Sequence, residues 1–286
     1  MIYPKRASSS PDVARHYDEL DVFYRDLWGE HVHHGLWRSG KEPVEVAVRQ
    51  LVDHVAAQAH LQPNDAVCDV GAGYGATARH LATTYTARVT ALTISPAQND
   101  YARARDPDAT NPTYLLRDWL ANGLPSGAFD AVVSIECVSH VPDKQLFFDE
   151  AHRVLRPGGR LAVCAWLARE APSPSQVRHL LEPICHEGQL PSLAAGSEYQ
   201  AMMEAAGFAL DEFEDLSLQV RRTWSICIRR VVGGLLRDRR YARHLLDGTR
   251  HNRFFALSLL RLWLGFRTGA LQYGLFTAHK PGEHET

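Results

Sequence analysis

Ala66-Val67-Cys68-Asp69-Val70-Gly71-Ala72-Gly73-Tyr74-Gly75 is the stretch that decides the fold of this chain. An apolar run leads straight into three alternating glycines, and a helix-forming segment, Ala76 to Tyr85, follows. Small apolar residues buried on both faces of a strand, closed by glycines at its end, describe the first βα turn of an open parallel sheet. The glycines let the backbone turn tightly and approach a ligand more closely than any Cβ would allow. Taken alone, the pattern fits a dinucleotide site, an S-adenosylmethionine (SAM) site or a tight structural turn.

Outward from this turn, strands and helices alternate. The pattern predicts strands at Ala66–Val70, Arg88–Ile94, Thr113–Arg117, Phe129–Glu136 and Arg160–Trp166. Helices fall between them near 75–84, 96–105 and 143–155, and Arg156-Pro157-Gly158-Gly159 is a turn feeding the fifth strand. Upstream, residues 1–10 read as disordered and Val13 to Trp28 as one helix. A His-rich segment to Trp37 follows, then a helix over Val44 to Ala59 with Val44, Val48, Leu51, Val52 and Val55 on one stripe. Downstream, Arg169 to Ser197 is punctuated by proline and glycine and reads as an insertion covering the site. A helix over Ser197 to Ala206 and strands at Phe208–Leu216 and Leu271–Ala278 follow, with a mostly helical insert at 217–267. The expected class is α/β: a seven-stranded doubly wound (Rossmann-like) sheet with an N-terminal helical lid and a helical cap insertion. The expected division is 1–60 for the N-terminal helices and lid and 61–168 for the ligand-binding core. Residues 169–286 then hold the cap insertions with the last strands.

Composition narrows the function. With 45% hydrophobic and 22% charged residues and a net charge of −2, the 286-residue chain is that of a soluble globular protein. The near-neutral balance argues against a general nucleic-acid binder. The N-terminus has no apolar signal core, and the apolar run Phe254 to Phe266 is interrupted by Arg261 and too short to span a bilayer. The five cysteines (68, 137, 164, 185 and 227) lack metal spacing and read as structural thiols in a reducing cytoplasm. His31, His33 and His34 have no obvious carboxylate partner in sequence, so no metal is expected there.

A nicotinamide enzyme would carry an acidic residue at the end of its second strand, about 20 residues past the glycines. Here that strand ends Thr93-Ile94-Ser95-Pro96-Ala97-Gln98, with Thr93 in the acid's place. Arg117-Asp118-Trp119 follows the third strand, Glu136 ends the fourth, and Leu155-Arg156-Pro157-Gly158-Gly159 enters the fifth. In this order the motifs resemble class I SAM-dependent methyltransferases over residues 12–167, with a weaker tail at 197–281. Thr93-Ile94-Ser95-Pro96-Ala97-Gln98 is similar to the Thr-Leu-Ser-x-x-Gln of tocopherol, sterol and cyclopropane-fatty-acid methyltransferases. Trp28-Gly29-Glu30-His31-Val32-His33-His34-Gly35 is similar to a segment of tocopherol C-methyltransferase-like enzymes, and plant alkaloid N-methyltransferases share it.

The resemblance implies SAM as cofactor, with Asp69, Gly71, Gly73, Gly75, Thr93, Gln98, Asp118 and Trp119 around it. The glycines would pack against its aminoacyl portion, and Asp69 would meet its ammonium or else tether the loop to the next helix. Thr93 and Gln98 would share the acceptor work of the usual acidic ribose ligand; a capping Thr and a helix-surface Gln are the plainer reading. Asp118 would accept from the adenine amine and Trp119 pack beside the ring. Glu136 sits where the sheet's carboxyl edge opens on the crevice, and an unpaired buried carboxylate there would be costly. Glu136, His140, His33 and His34 are the candidate catalytic groups, the last two through a lid closing over cofactor and acceptor; His140 also reads as a capping or core histidine.

The insert is unusual: twelve arginines between Arg221 and Arg267 face two aspartates, with Trp224, Phe254, Phe255 and Trp263 interleaved. It reads as an amphipathic cap whose arginines snorkel outward, or as a clamp for an anionic acceptor, or as a membrane-surface contact. Apolar Trp224, Ile228, Phe254, Leu257 and Leu260 would be covered by a lipophilic acceptor or by the mate in a homodimer. The expectation is a cytoplasmic SAM-dependent methyltransferase acting on a lipophilic small molecule, with C-methylation favoured. N- or O-methylation of an alkaloid or polyketide, C-methylation of a prenyl diphosphate, a SAM-binding methyltransferase-fold protein with cyclase or other non-methylating activity or with none, and a nicotinamide reductase are the alternatives.

Overall fold

The structure, a computed structural model, describes residues 1–5, 8–237 and 255–282. Seven strands form one sheet in the order β3-β2-β1-β4-β5-β7-β6: β1 Ala66–Val70, β2 Arg88–Thr93, β3 Thr113–Leu116, β4 Phe129–Ile135, β5 Leu155–Ala168, β6 Ala209–Asp215 and β7 Leu271–His279. Strands β1 to β5 pair in parallel, whereas β7 enters antiparallel between β5 and β6, which makes the expected parallel sheet a mixed one. Strand β5 begins five residues before its expected start, because the Arg156–Gly159 turn is absorbed into the strand through a register shift opposite Phe129/Ala131.

Alternation along each strand splits the core into two layers. Val67, Ala131, Val133, Ala162 and Cys164 face a layer that includes Leu51, Val52 and Val55 of α3 (Val44–Gln58) and Leu81 of α4 (Ala76–Thr84). Cys68, Val132, Leu161 and Val163 face Phe147 and Phe148 of α6 (Lys144–Val154) and Tyr199 and Met203 of α9 (Gly196–Ala205). Helix α5 (Pro96–Arg105) starts at the N-cap Ser95, whose hydroxyl accepts from the Gln98 amide.

The expected Val13–Trp28 helix is broken at Leu20 into α1 (Ser10–Glu19) and α2 (Asp21–Trp28). The break lets α2 dock on the glycine loop and α1 on the start of α5. The Tyr74 hydroxyl donates to Asp21 Oδ1 (2.7 Å), Ser95 Oγ donates to Asp18 Oδ1 (2.6 Å), and Leu20, Tyr24 and Tyr74 pack together. The first residues are not loose as expected: Ile2 exchanges two backbone hydrogen bonds with Leu193, and Ser8 is buried.

The 169–196 stretch is more helical than its prolines suggest, with α7 (Pro174–Gln176) and α8 (Glu182–Glu187) joined by a π-helical turn over Val177–Leu181. Helices α10 (Ser217–Val220), α11 (Arg222–Arg237) and α12 (Phe255–Thr268) form the described part of the arginine-rich insert. Trp224 is buried, and Arg221, Arg222, Arg229 and Arg267 face outward, as a snorkelling cap requires; Leu260, expected under the cap, is half exposed. Phe254, Asp238, Asp247 and the arginines at 239, 240, 243, 250 and 253 lie outside the described residues. Among the described residues no helix is long and apolar enough to cross a membrane.

Candidate active site

A crevice opens at the carboxyl ends of β1, β2 and β4, where open α/β sheets bind ligands. It is lined by Gly71, Gly73, Thr93, Gln98, Asp118, Trp119, Glu136 and His140 together with Tyr17 and Val32 of the N-terminal segment. Its empty volume, counted out to its mouth, is about 770 Å³, within the ordinary range for small-molecule sites. Motifs from four separate stretches of the sequence thus converge on one cleft.

The three glycines do different work. All have positive φ, which L side chains rarely adopt. A Cβ on Gly71 would lie 2.3 Å from Cys137 Cβ, and one on Gly75 2.6 Å from the Tyr114 ring. Only on Gly73 would it meet nothing within 4 Å. Gly73 therefore gives its missing side chain to the crevice. Gly75, expected at the cofactor, is not part of the cleft lining; it lets Tyr114 and Ala102 pack against the loop.

Thr93 Oγ1 donates to Gln98 Oε1 (2.8 Å), which couples the two side chains. Asp118 accepts from the Leu120 amide (3.0 Å) and starts a single 3₁₀ turn that carries Trp119, whose indole N–H donates to the Phe147 carbonyl (3.1 Å). Asp69 lies beneath the loop with 2% exposure and one carboxylate oxygen that has no partner. Burial raises its pKa to about 7. It is not part of the cleft lining, so any contact with a ligand runs through the loop.

Glu136 sits directly after β4 with φ +64°, a conformation costly for a residue with a Cβ. Four donors hold it there. Oε1 accepts from the His34 amide (2.7 Å), His34 Nδ1 (2.9 Å) and the Tyr273 hydroxyl (2.9 Å), and Oε2 from the Trp166 indole (3.1 Å). Burial alone would raise its pKa, but the His34 ring and the bonds from His34 overcome that and hold it at about 2. A carboxylate so saturated is a fixed anchor. It closes the lid segment onto the sheet and sets the His34 tautomer.

The three histidines separate in space. His34 is buried, edge-on to Trp166 and Trp224, and faces a second chamber. His33 turns away from both cavities' shared wall: Nδ1 meets the His34 carbonyl (2.8 Å) and Nε2 meets His31 Nδ1 (3.0 Å). It borders instead a small gap beside Trp37, Val48 and Cys227. Expected between cofactor and acceptor, it lines neither the crevice nor the second chamber. His140 is half-buried beside Tyr17, with Nε2 3.1 Å from the Tyr17 hydroxyl. Burial, with His16 nearby, lowers its pKa to about 3, so the ring is neutral.

The second chamber shares Tyr17, Val32, Glu136 and His140 with the crevice. Its other walls include Tyr24, Trp28, His34, Trp166, Ile184, Trp224 and Leu262, and its empty volume is about 620 Å³. Among the described residues no lysine or arginine lines it, while Glu187 does, held by Ser258 (2.9 Å) and by Arg261. Tyr17, Trp166 and Tyr273 went unnoticed as site residues in the sequence. They carry no motif, and only their arrival at Glu136 or His140 from distant elements marks them.

The cleft thus combines an open glycine position, a hydroxyl–amide pair where β2 passes into α5, and an aspartate after β3. The chain belongs to the mycolic acid cyclopropane synthetase family, whose model matches residues 4–268, and it is a SAM-dependent methyltransferase. It is 31% identical to 27-O-demethylrifamycin SV methyltransferase of Amycolatopsis mediterranei over 275 residues, covering 94% of this chain and 97% of that protein. Tocopherol O-methyltransferase of Arabidopsis thaliana is 28% identical over 293 residues, covering 94% and 82% of the two chains. The fold is also that of the cyclopropane synthase MmaA2 from Mycobacterium tuberculosis, at TM-score 0.84, 22% identity and coverage of 96% and 100%. The resemblance to tocopherol- and cyclopropane-type enzymes read from the motifs is therefore borne out.

Proposed function

We propose that this enzyme transfers a methyl group from SAM to an acidic hydroxyl, phenolic or enolic, of a lipophilic small molecule, and that His140 takes the hydroxyl proton. The observation that carries this reading is the position of His140: among the described residues it is the one histidine that borders both the crevice and the second chamber. When bound, SAM supplies an electrophilic methyl carbon that needs no further activation. Gly73 would admit its aminoacyl end, Thr93 and Gln98 would hold its ribose, and Asp118 and Trp119 its adenine. The aromatic chamber would orient the acceptor, an effect that can be worth on the order of 7 kcal/mol. A histidine held neutral down to about pH 3 always has a free lone pair but is a weak base, which suits an acidic hydroxyl better than an aliphatic alcohol.

Both named relatives are O-methyltransferases by name where the name states the atom, which favours oxygen over the carbon acceptor expected from sequence. Methylation at carbon would use the same base on a phenol or enol. A prenyl diphosphate is disfavoured by the acidic, arginine-free wall of the chamber among the described residues. The test is turnover with labelled SAM over a panel of phenols, amines and prenyl diphosphates. His140→Ala should lower kcat by about 100-fold or more while leaving affinity for S-adenosylhomocysteine (SAH) within about threefold. Undiminished kcat would remove His140 from the reaction.

A further inference from the structure

Two polar atoms of the acceptor chamber have hydrogen-bonding capacity that the protein does not use. His34 Nε2 and Trp224 Nε1 are both buried without a partner. Both residues line the chamber, and their ring centroids are 5.1 Å apart at an interplanar angle of 77°. Folded proteins rarely leave such atoms unpaired. His140 Nδ1, on the candidate base, is the third such atom on this wall; Glu136 is committed to its four donors, Tyr17 to His140, and Glu187 to Ser258 and Arg261.

The chemistry of each atom is set by its surroundings. The Glu136 carboxylate can only accept, so Nδ1 of His34 carries the proton that meets it, and in that tautomer Nε2 is a lone pair. The Trp224 indole can only donate. An acceptor and a donor on two rings 5.1 Å apart match a group that both gives and takes a hydrogen bond, which is a hydroxyl. Neither residue lines the SAM crevice, whereas His140 borders both spaces. The hydroxyl recognised here is thus a different one from the hydroxyl at His140.

We propose that His34 Nε2 and Trp224 Nε1 form a hydroxyl-recognition subsite, so that the acceptor is a lipophilic diol: one hydroxyl is methylated and a second is read by this pair. The proposal rests on the methyltransferase reading above for the identity of the first hydroxyl, but its test does not need turnover.

Calorimetry on the SAH-saturated protein would compare 2,7-dihydroxynaphthalene with 7-methyl-2-naphthol and 7-methoxy-2-naphthol. The first both donates and accepts at position 7, the second does neither, and the third accepts without donating. The diol should bind about tenfold more tightly than the methyl compound, and the methoxy compound should resemble the methyl one because it has nothing to give His34. Trp224→Phe should bring diol and methyl compound to within about twofold while leaving the methyl compound and SAH nearly unchanged. Equal affinities in the unmodified protein would assign the pair to a bound water and overturn the proposal, as would a diol preference that survives Trp224→Phe. If that variant fails to fold, the three ligands on the unmodified protein decide alone. Methylation of the diol without any preference would sink the subsite and leave the methyltransferase reading standing; preference without methylation would do the reverse.

Discussion

Replacing Glu136 by glutamine keeps the size of the anchor under the lid and removes only its charge. The carboxylate accepts three bonds on Oε1 and one on Oε2. With its carbonyl turned toward His34 and Tyr273, glutamine would put its NH₂ against the Trp166 indole, a donor facing a donor. Orphaning that buried pair costs about 1–3 kcal/mol. The three remaining bonds change from charge-assisted to neutral, a loss of about 1 kcal/mol each. Removing a buried charge returns part of this, since desolvation opposes the ionised form. The net expectation is a destabilisation of about 2–4 kcal/mol. Urea unfolding of the ligand-free protein measures it. Glu136→Gly would relieve the positive φ yet orphan all four donors, so it should be the more damaging of the two. A glutamine variant within about 0.5 kcal/mol of the parent, or a glycine variant more stable than the glutamine one, would refute the view that these bonds hold the site together.

The glycine loop offers a paired contrast. Gly71→Ala forces a Cβ onto Cys137 and should cost about 2 kcal/mol or more of stability, whereas Gly73→Val should fold and lose SAH affinity, both read by melting with and without SAH. His33→Ala should lower stability by about 1–2 kcal/mol and leave kcat of the folded enzyme within about threefold; a large loss of kcat would return His33 to the reaction centre. Stability should also fall with pH below neutrality. His31 and His140 are held neutral, at about 2 and about 3, against about 6.5 unfolded, so the unfolded chain gains protons first and each costs about 1 kcal/mol from pH 6.5 to 5.5. Asp69, raised to about 7, binds its proton in the folded state and returns about 1 kcal/mol over the same window, leaving a net loss of about 1 kcal/mol. Flat stability between these pH values would contradict the buried neutral histidines.

The sequence alone determined the strand–glycine–helix turn, the alternation of the core and the side of the sheet on which the ligand binds. These are local signals: Val67 to Val70 are buried because neighbouring strands and both helical layers cover them, and the run itself records that. Gly71, Gly73, Thr93, Gln98, Asp118 and Trp119 were legible for the same reason, since each sits at or just past the end of a strand that its own segment specifies. Which glycine faces the cleft was not legible, because the answer lies in Cys137 and Tyr114. Nor was the antiparallel entry of β7, which is decided by how the last strand pairs with β5 and β6 rather than by its own residues. The roles of His33 and His34 were interchangeable in sequence, one position apart. Only the fold separated them, by bringing Glu136 from 102 positions away to meet one ring and leaving the other to bond within its own segment. A single segment encodes its periodicity and its turns; the partner that fixes a histidine's tautomer or fills a glycine's missing side chain arrives from elsewhere in the chain, and only tertiary packing places it.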